Sequence, residues 1–177
     1  MVELQPLPAG WAWYNDRSRG YAVGISLDWK EEAGSTTATA CPVFSTNPPD
    51  FPSPAGGKPN DDALAMCAVV ATVCNVGTAA SADSSVPIIV AHIATTENYL
   101  GTKPGGSYVT GVRSYSVEVP GNGLCYEIHI IAMSAVPQTR ADSLRSGVWS
   151  SFTLFAPGST VVVEGGGAVA SSSRRRG

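Results

Sequence analysis

Two long alternating runs separated by Pro120-Gly121-Asn122-Gly123 constrain this chain more than any other feature. Asn-Gly accepts positive φ at both central positions of a tight turn, the backbone that folds one strand back on its neighbour with the twist a sheet requires. The run before it sets Val109, Val112 and Val117 among polar residues, and the run after it gathers Tyr126, Ile128 and Ile130 on one face. Side chains alternate across a strand, so Cys125, Glu127 and His129 take the opposite face.

The same pattern predicts strands at about Ala12–Tyr14, Tyr21–Leu27, Ala40–Ser45, Leu64–Val73, Ile88–Ala94, Ser107–Val119, Leu124–Met133 and Phe152–Phe155, each rich in apolar or β-branched residues and bounded by turn formers. One helix is predicted at about Gln138–Ser150. Leu144 and Val148 stripe its inner side, Arg140, Asp142 and Arg145 lie outside, and Pro137 stands ahead of it as suits a first helical turn. Asn47–Asp62 and Asn75–Val86 are predicted to be loops. The expected fold is α+β, an antiparallel sheet of about six to eight strands packed with one or two helices. It fills a single domain over residues 11–164, between an N-terminal extension, 1–10, and a flexible Gly/Ser/Arg tail, 165–177.

Charged residues make up only 14% of the chain, against roughly 25% in an average soluble domain. Setting aside Arg174, Arg175 and Arg176 leaves 8 basic against 14 acidic residues, a body of about −6 that is a poor general binder of nucleic acid. The Arg triplet could touch a phosphate or a membrane head group, but a short basic terminus is first of all a solvated tail. The N-terminal residues lack the basic and apolar regions of a secretory signal, and no apolar run approaches a membrane span. Four cysteines, Cys41, Cys67, Cys74 and Cys125, permit two disulfides but include no C-x-x-C pair. Buried free thiols are the preferred expectation. One disulfide, joining Cys41 to Cys67 or Cys74, is the alternative and would argue for an oxidising compartment.

Trp13-Tyr14-Asn15-Asp16, then Gly20-Tyr21-Ala22-Val23 and Asp28-Trp29-Lys30, form an opening of aromatic, Asp, Gly-aromatic and apolar residues running to a Trp. Val43-Phe44-Ser45-Thr46-Asn47-Pro48 and Gly56-Gly57-Lys58-Pro59 follow before the next strand, and Tyr126-Glu127-Ile128-His129-Ile130 and Val148-Trp149-Ser150-Ser151-Phe152 close the chain. In this order the segments resemble the PsbP-like family, whose α+β fold is shared with Mog-type proteins and bacterial lipoproteins. The resemblance spans roughly residues 11–155, although Ile25-Ser26-Leu27 stands where the family has a Pro ahead of its Trp. It implies a non-enzymatic binding or assembly-factor module, supplies no catalytic residues, and tilts the expected location toward an extracytoplasmic one.

Signals for chemistry are sparse. His129, Glu127 and Cys125 share a strand face and could hold a metal from one side if His92, the other imidazole, reached them. The solvent-facing side of a strand explains the same triple more simply, and no metal or cofactor is expected. Asp61-Asp62 is a loop pair whose side chains point apart. No Gly-x-Ser-x-Gly elbow or phosphate-binding glycine spacing occurs. Trp11, Trp13 and Tyr14 are the candidate partner contacts, since Trp and Tyr dominate binding hot spots, with core packing as the competing explanation. The expectation is therefore a non-catalytic module that contacts a protein partner. The alternatives are a virion or capsid-associated particle component with a basic tail, and a metal-binding protein or enzyme.

Overall fold

The computed structural model of the chain describes residues 1–32, 41–47, 59–69, 74–101, 112–164 and 169–171. Its strands are β1 (Val2–Leu4), β2 (Trp11–Asp16), β3 (Tyr21–Ser26), β4 (Lys30–Glu31), β5 (Val43–Ser45), β6 (Asp62–Val69), β7 (Ser84–Val90), β8 (Ile93–Leu100), β9 (Arg113–Gly121), β10 (Leu124–Ala132), β11 (Thr153–Leu154), β12 (Val161–Val163) and β13 (Val169–Ser171). A helix, α1 (Gln138–Ser151), lies between β10 and β11.

The hairpin at 120–123 forms as its residues dictate. Gly121 pairs with Leu124, and Asn122 and Gly123 turn between them at φ 53° and 72°. β9 and β10 are the middle of a seven-stranded antiparallel sheet in the order β4-β5-β6-β10-β9-β8-β7. A second sheet runs β11-β3-β2-β13, and β1 pairs in parallel with β12. About half of the described residues are in strands, with one short helix beside them, so the fold is mainly β and the expected α+β arrangement is overturned. The cause is physical: the expected N-terminal extension supplies β1, the expected tail supplies β13, the end of the expected loop 75–86 supplies the start of β7, and Val161–Val163, for which no element was expected, forms β12, so these segments find strand partners where a helical layer was anticipated.

The main core lies between the large sheet, the inner face of the β2–β3 hairpin and α1. It gathers Tyr14, Tyr21, Val23, Phe44, Leu64, Met66, Val117, Ile128, Ile130, Leu144, Val148 and Phe152. Tyr21, Tyr126 and Phe152 pack with ring centroids 5.6–5.9 Å apart, contacts worth about 0.5–1.5 kcal/mol each beyond their burial. Trp13, Ala22, Leu4 and Phe155 form a smaller cluster on the other side of the hairpin.

α1 buries Ala141, Leu144 and Val148, a spacing of three and four that keeps one side of a helix inward. Its last turn can approach β3 because residue 24 is glycine: the Gly24 N–H donates to Ser151 Oγ at 2.9 Å, and an added Cβ would meet the same oxygen at 2.9 Å.

The N-terminal extension is folded rather than loose, since β1 buries Leu4. Part of the tail, 169–171, pairs in parallel with β2. Residues 165–168 and 172–177, with Arg174, Arg175 and Arg176, lie outside the described residues, as do most of the expected loop 47–62, residues 70–73 of one expected strand and 107–111 of another. The strand expected at Ile88–Ala94 is two strands: Val90 pairs with Ile93, and Ala91 and His92, at φ 50° and 63°, turn between β7 and β8.

Candidate functional site

Where the end of the β2–β3 hairpin meets the first turns of α1, a cleft of about 400 Å³ opens between Gly10, Trp11, Ser26 and Asp28 on one side and Thr139, Arg140, Ser143 and Leu144 on the other. Trp11 reaches across the hairpin end onto α1, which accepts it because residue 147 is glycine: a Cβ there would stand 2.3 Å from the indole ring. The ring also meets Trp29 edge-on, with centroids 6.4 Å apart.

Beneath the cleft the polar groups are fixed. Asp62, at the start of β6 and fully buried, accepts from Trp29 Nε1 at 2.5 Å and from Arg140 through Nε at 2.5 Å and Nη2 at 3.1 Å. A two-point guanidinium–carboxylate pair is strong and directional, and here it sets the guanidinium plane. Arg140 Nη1 extends to the exposed Asp28 at 3.1 Å. The hydrogen bond to Asp62 raises the Arg140 pKa further against the opposing cost of burial, so the group stays charged. The cleft therefore offers an indole face, the Ser26 and Ser143 hydroxyls, and a carboxylate held beside a guanidinium. It brings together no nucleophile–base pair.

Farther along α1, Arg145 and Trp149 close on Glu97 of β8. Arg145 Nε donates at 3.0 Å, its Nη2 also donates to the carboxylate, and Trp149 Nε1 donates at 2.5 Å. The same guanidinium lies 4.2 Å over the Tyr115 ring. With Glu97 and Trp149 buried, this cluster ties helix to sheet.

Of the aromatic candidates, only Trp11 keeps a surface face. Trp13 and Tyr14 are 6% and 3% exposed. Trp13 Nε1 donates to Gln5 O at 2.9 Å, and Tyr14 stacks edge-on against Phe44 at 4.9 Å. Both rings face apolar clusters, which removes them as surface anchors.

Cys125, Glu127 and His129 do share a face of β10, with Glu118 directly opposite Glu127 and Ser116 opposite His129. Burial lowers the His129 pKa, partly offset by Glu127 and Glu118. His92 does not join them. It sits exposed in the β7–β8 turn, not in a strand, and is six residues along β8 from Asn98, the position level with His129, roughly 20 Å at strand rise.

The expected free thiols are also corrected. Cys41 is bonded to Cys67 and Cys74 to Cys125. Cys67 and Cys125 both lie on the outer face of the large sheet, where the chain around Cys41 and Cys74 reaches them. Asp61 and Asp62 point apart as expected, Asp61 toward Asn47 and Asp62 into the Arg140 pair. The reading of Arg140 as an outward-facing charge missed this pair, because its partner is 78 residues away in sequence.

No protein-family model matches the chain, and no curated protein is recognisably similar to it. A crystal structure of a protein from Bacteroides thetaiotaomicron VPI-5482, at 1.50 Å resolution, is similar with a TM-score of 0.49 and 11% sequence identity. The similarity covers 85% of this chain and 50% of that one, so this chain spans about half of that protein's length.

Proposed function

We propose that this chain is a non-catalytic binding module that takes up a protein partner at the cleft between the β2–β3 hairpin and the start of α1. The observation that carries this reading is Trp11, a half-buried indole seated on Gly147 at the wall of a cleft whose charged groups are locked by Asp62. Tryptophan at the edge of a pre-ordered pocket is the residue type most enriched in binding hot spots, and fixed polar neighbours lower the ordering cost of association. Leu27, 65% exposed, stands between the cleft residues Ser26 and Asp28 and adds apolar surface at the same hairpin end. The two disulfides fit a protein that works in an oxidising, extracytoplasmic compartment.

The test fills the cleft without disturbing the core. Ser143 is exposed on its rim, so Ser143→Tyr should leave the melting temperature within about 2 °C, as surface changes usually do. It should also abolish proximity labelling of the partner in the cells that make this protein. Trp13→Ala, as the contrasting core change, should cost about 3–5 kcal/mol. An identical set of labelled proteins for wild type and Ser143→Tyr would overturn the reading.

A further inference from the structure

The Cys74–Cys125 disulfide lies against a carboxylate for which it can do nothing. Glu118 Oε2 is 3.4 Å from Cys125 Sγ, and an oxidised sulfur has no proton to donate. One oxygen from Glu118 and both sulfurs fall within 4.8 Å of one another. The adjoining charge is also negative, because Glu127 stands directly across the strand pair from Glu118. Like charges directly opposite one another on a sheet are destabilising, and the His129 imidazole lies near both carboxylates.

The loop that carries Cys74 does not depend on the disulfide alone. The Asn75 N–H donates to Glu118 Oε2 at 2.5 Å, the Ala79 N–H to Asn98 Oδ1 at 2.9 Å, and Asn98 Nδ2 to Gly77 O at 3.1 Å. None of these bonds involves a sulfur, so all three remain available to hold Cys74 near Cys125 once the disulfide is reduced. Cys74 and Glu118 are half-exposed, so a reductant and an ion can both reach the site from solvent.

We propose that Cys74, Cys125 and Glu118 form a redox-gated binding site for Zn²⁺, closed while the disulfide is intact and opened by an external dithiol. The dithiol transfers two electrons and two protons to the disulfide, yielding two thiols and leaving as its own cyclic disulfide. Zn²⁺ then displaces both thiol protons to solvent, forms two Zn–S bonds, takes the Glu118 oxygen as its third ligand and keeps water in the fourth position. Two thiolates select a soft cation over Mg²⁺ or Ca²⁺. The ion re-ties the loop that the disulfide held.

The test uses the whole chain, reduced with dithiothreitol, desalted anaerobically and titrated with Zn²⁺. Cysteine alkylation is then mapped by mass spectrometry while circular dichroism follows the fold. Cys74 and Cys125 should become protected at one equivalent of Zn²⁺, whereas Cys41 and Cys67 react. Co²⁺ in place of Zn²⁺ should give thiolate-to-metal absorption. Glu118→Gln should weaken binding at least about tenfold, since even outer-shell partners of metal ligands are worth that much. The unreduced chain should bind nothing at these residues. Equal protection of all four cysteines, a reduced chain that stays unfolded with zinc, or unchanged affinity in Glu118→Gln would each overturn the proposal.

Discussion

Burial decides the charge of His129. Its ring sits half-buried on the outer face of β10, where loss of water disfavours the imidazolium and pushes the pKa below the ordinary 6.5. The carboxylates of Glu127 and Glu118 pull it upward without reversing the shift. In the unfolded chain the imidazole protonates near its ordinary value, while in the folded chain it waits for lower pH. Between those two points the unfolded state binds more protons, so stability falls as pH drops through and below the ordinary 6.5, and well above it the group contributes no slope. His129→Gln should flatten this part of the pH dependence of the urea midpoint; equal slopes in wild type and variant would show that the burial of His129 is not felt. The position of the ring was legible in the sequence because strand alternation is local, and it put Cys125, Glu127 and His129 on one face. Asp62 and Arg140 were not legible, because nothing near either residue indicates a partner 78 positions away.

At the level of elements, two hairpins share one backbone and differ in how their residues announce it. Asn122–Gly123 turns at positive φ with residues that accept it, so β9 and β10 could be drawn from sequence. Ala91–His92 adopts the same left-handed pair with residues that disfavour it, so β7 and β8 read as one strand. The turn persists because seven pairs between β7 and β8 hold it closed. Left-handed backbone at a non-glycine residue costs on the order of 1 kcal/mol or more. His92 is exposed, whereas Ala91 packs against the core, so His92 is the position to relieve. His92→Gly should therefore stabilise the fold by about 1 kcal/mol, a rise of about 2–4 °C in a chain of this size. An unchanged or lower melting temperature would mean that the flexibility glycine adds to the unfolded chain outweighs the relieved strain.

For the molecule as a whole, the question is what stops its sheets from joining other copies. The parallel pairings of β1 with β12 and β13 with β2 bring opposite ends of the chain together, and no local pattern of three residues could foretell them. Among the described strands, β7 ends the large sheet, and it carries Val86 and Ile89 at 52% and 72% exposure. An open apolar edge of this kind invites strand addition. The turn at Ala91–His92 fixes which backbone groups face outward. Val90 and Ile93 close the two-residue hairpin as a hydrogen-bonded pair, and counting back by alternation leaves Ser85, Pro87 and Ile89 with their backbone groups directed away from β8. Pro87 thus stands in the middle of the free edge and offers no donor to an incoming strand, the position where proline is tolerated in a sheet. On this argument the wild-type chain stays monomeric in light scattering as its concentration rises. Pro87→Thr should restore the missing donor and produce oligomers that grow with concentration. If the variant remains monomeric, Pro87 does not guard the edge; if the wild type itself assembles into large particles, a structural role in a particle displaces the binding-module reading.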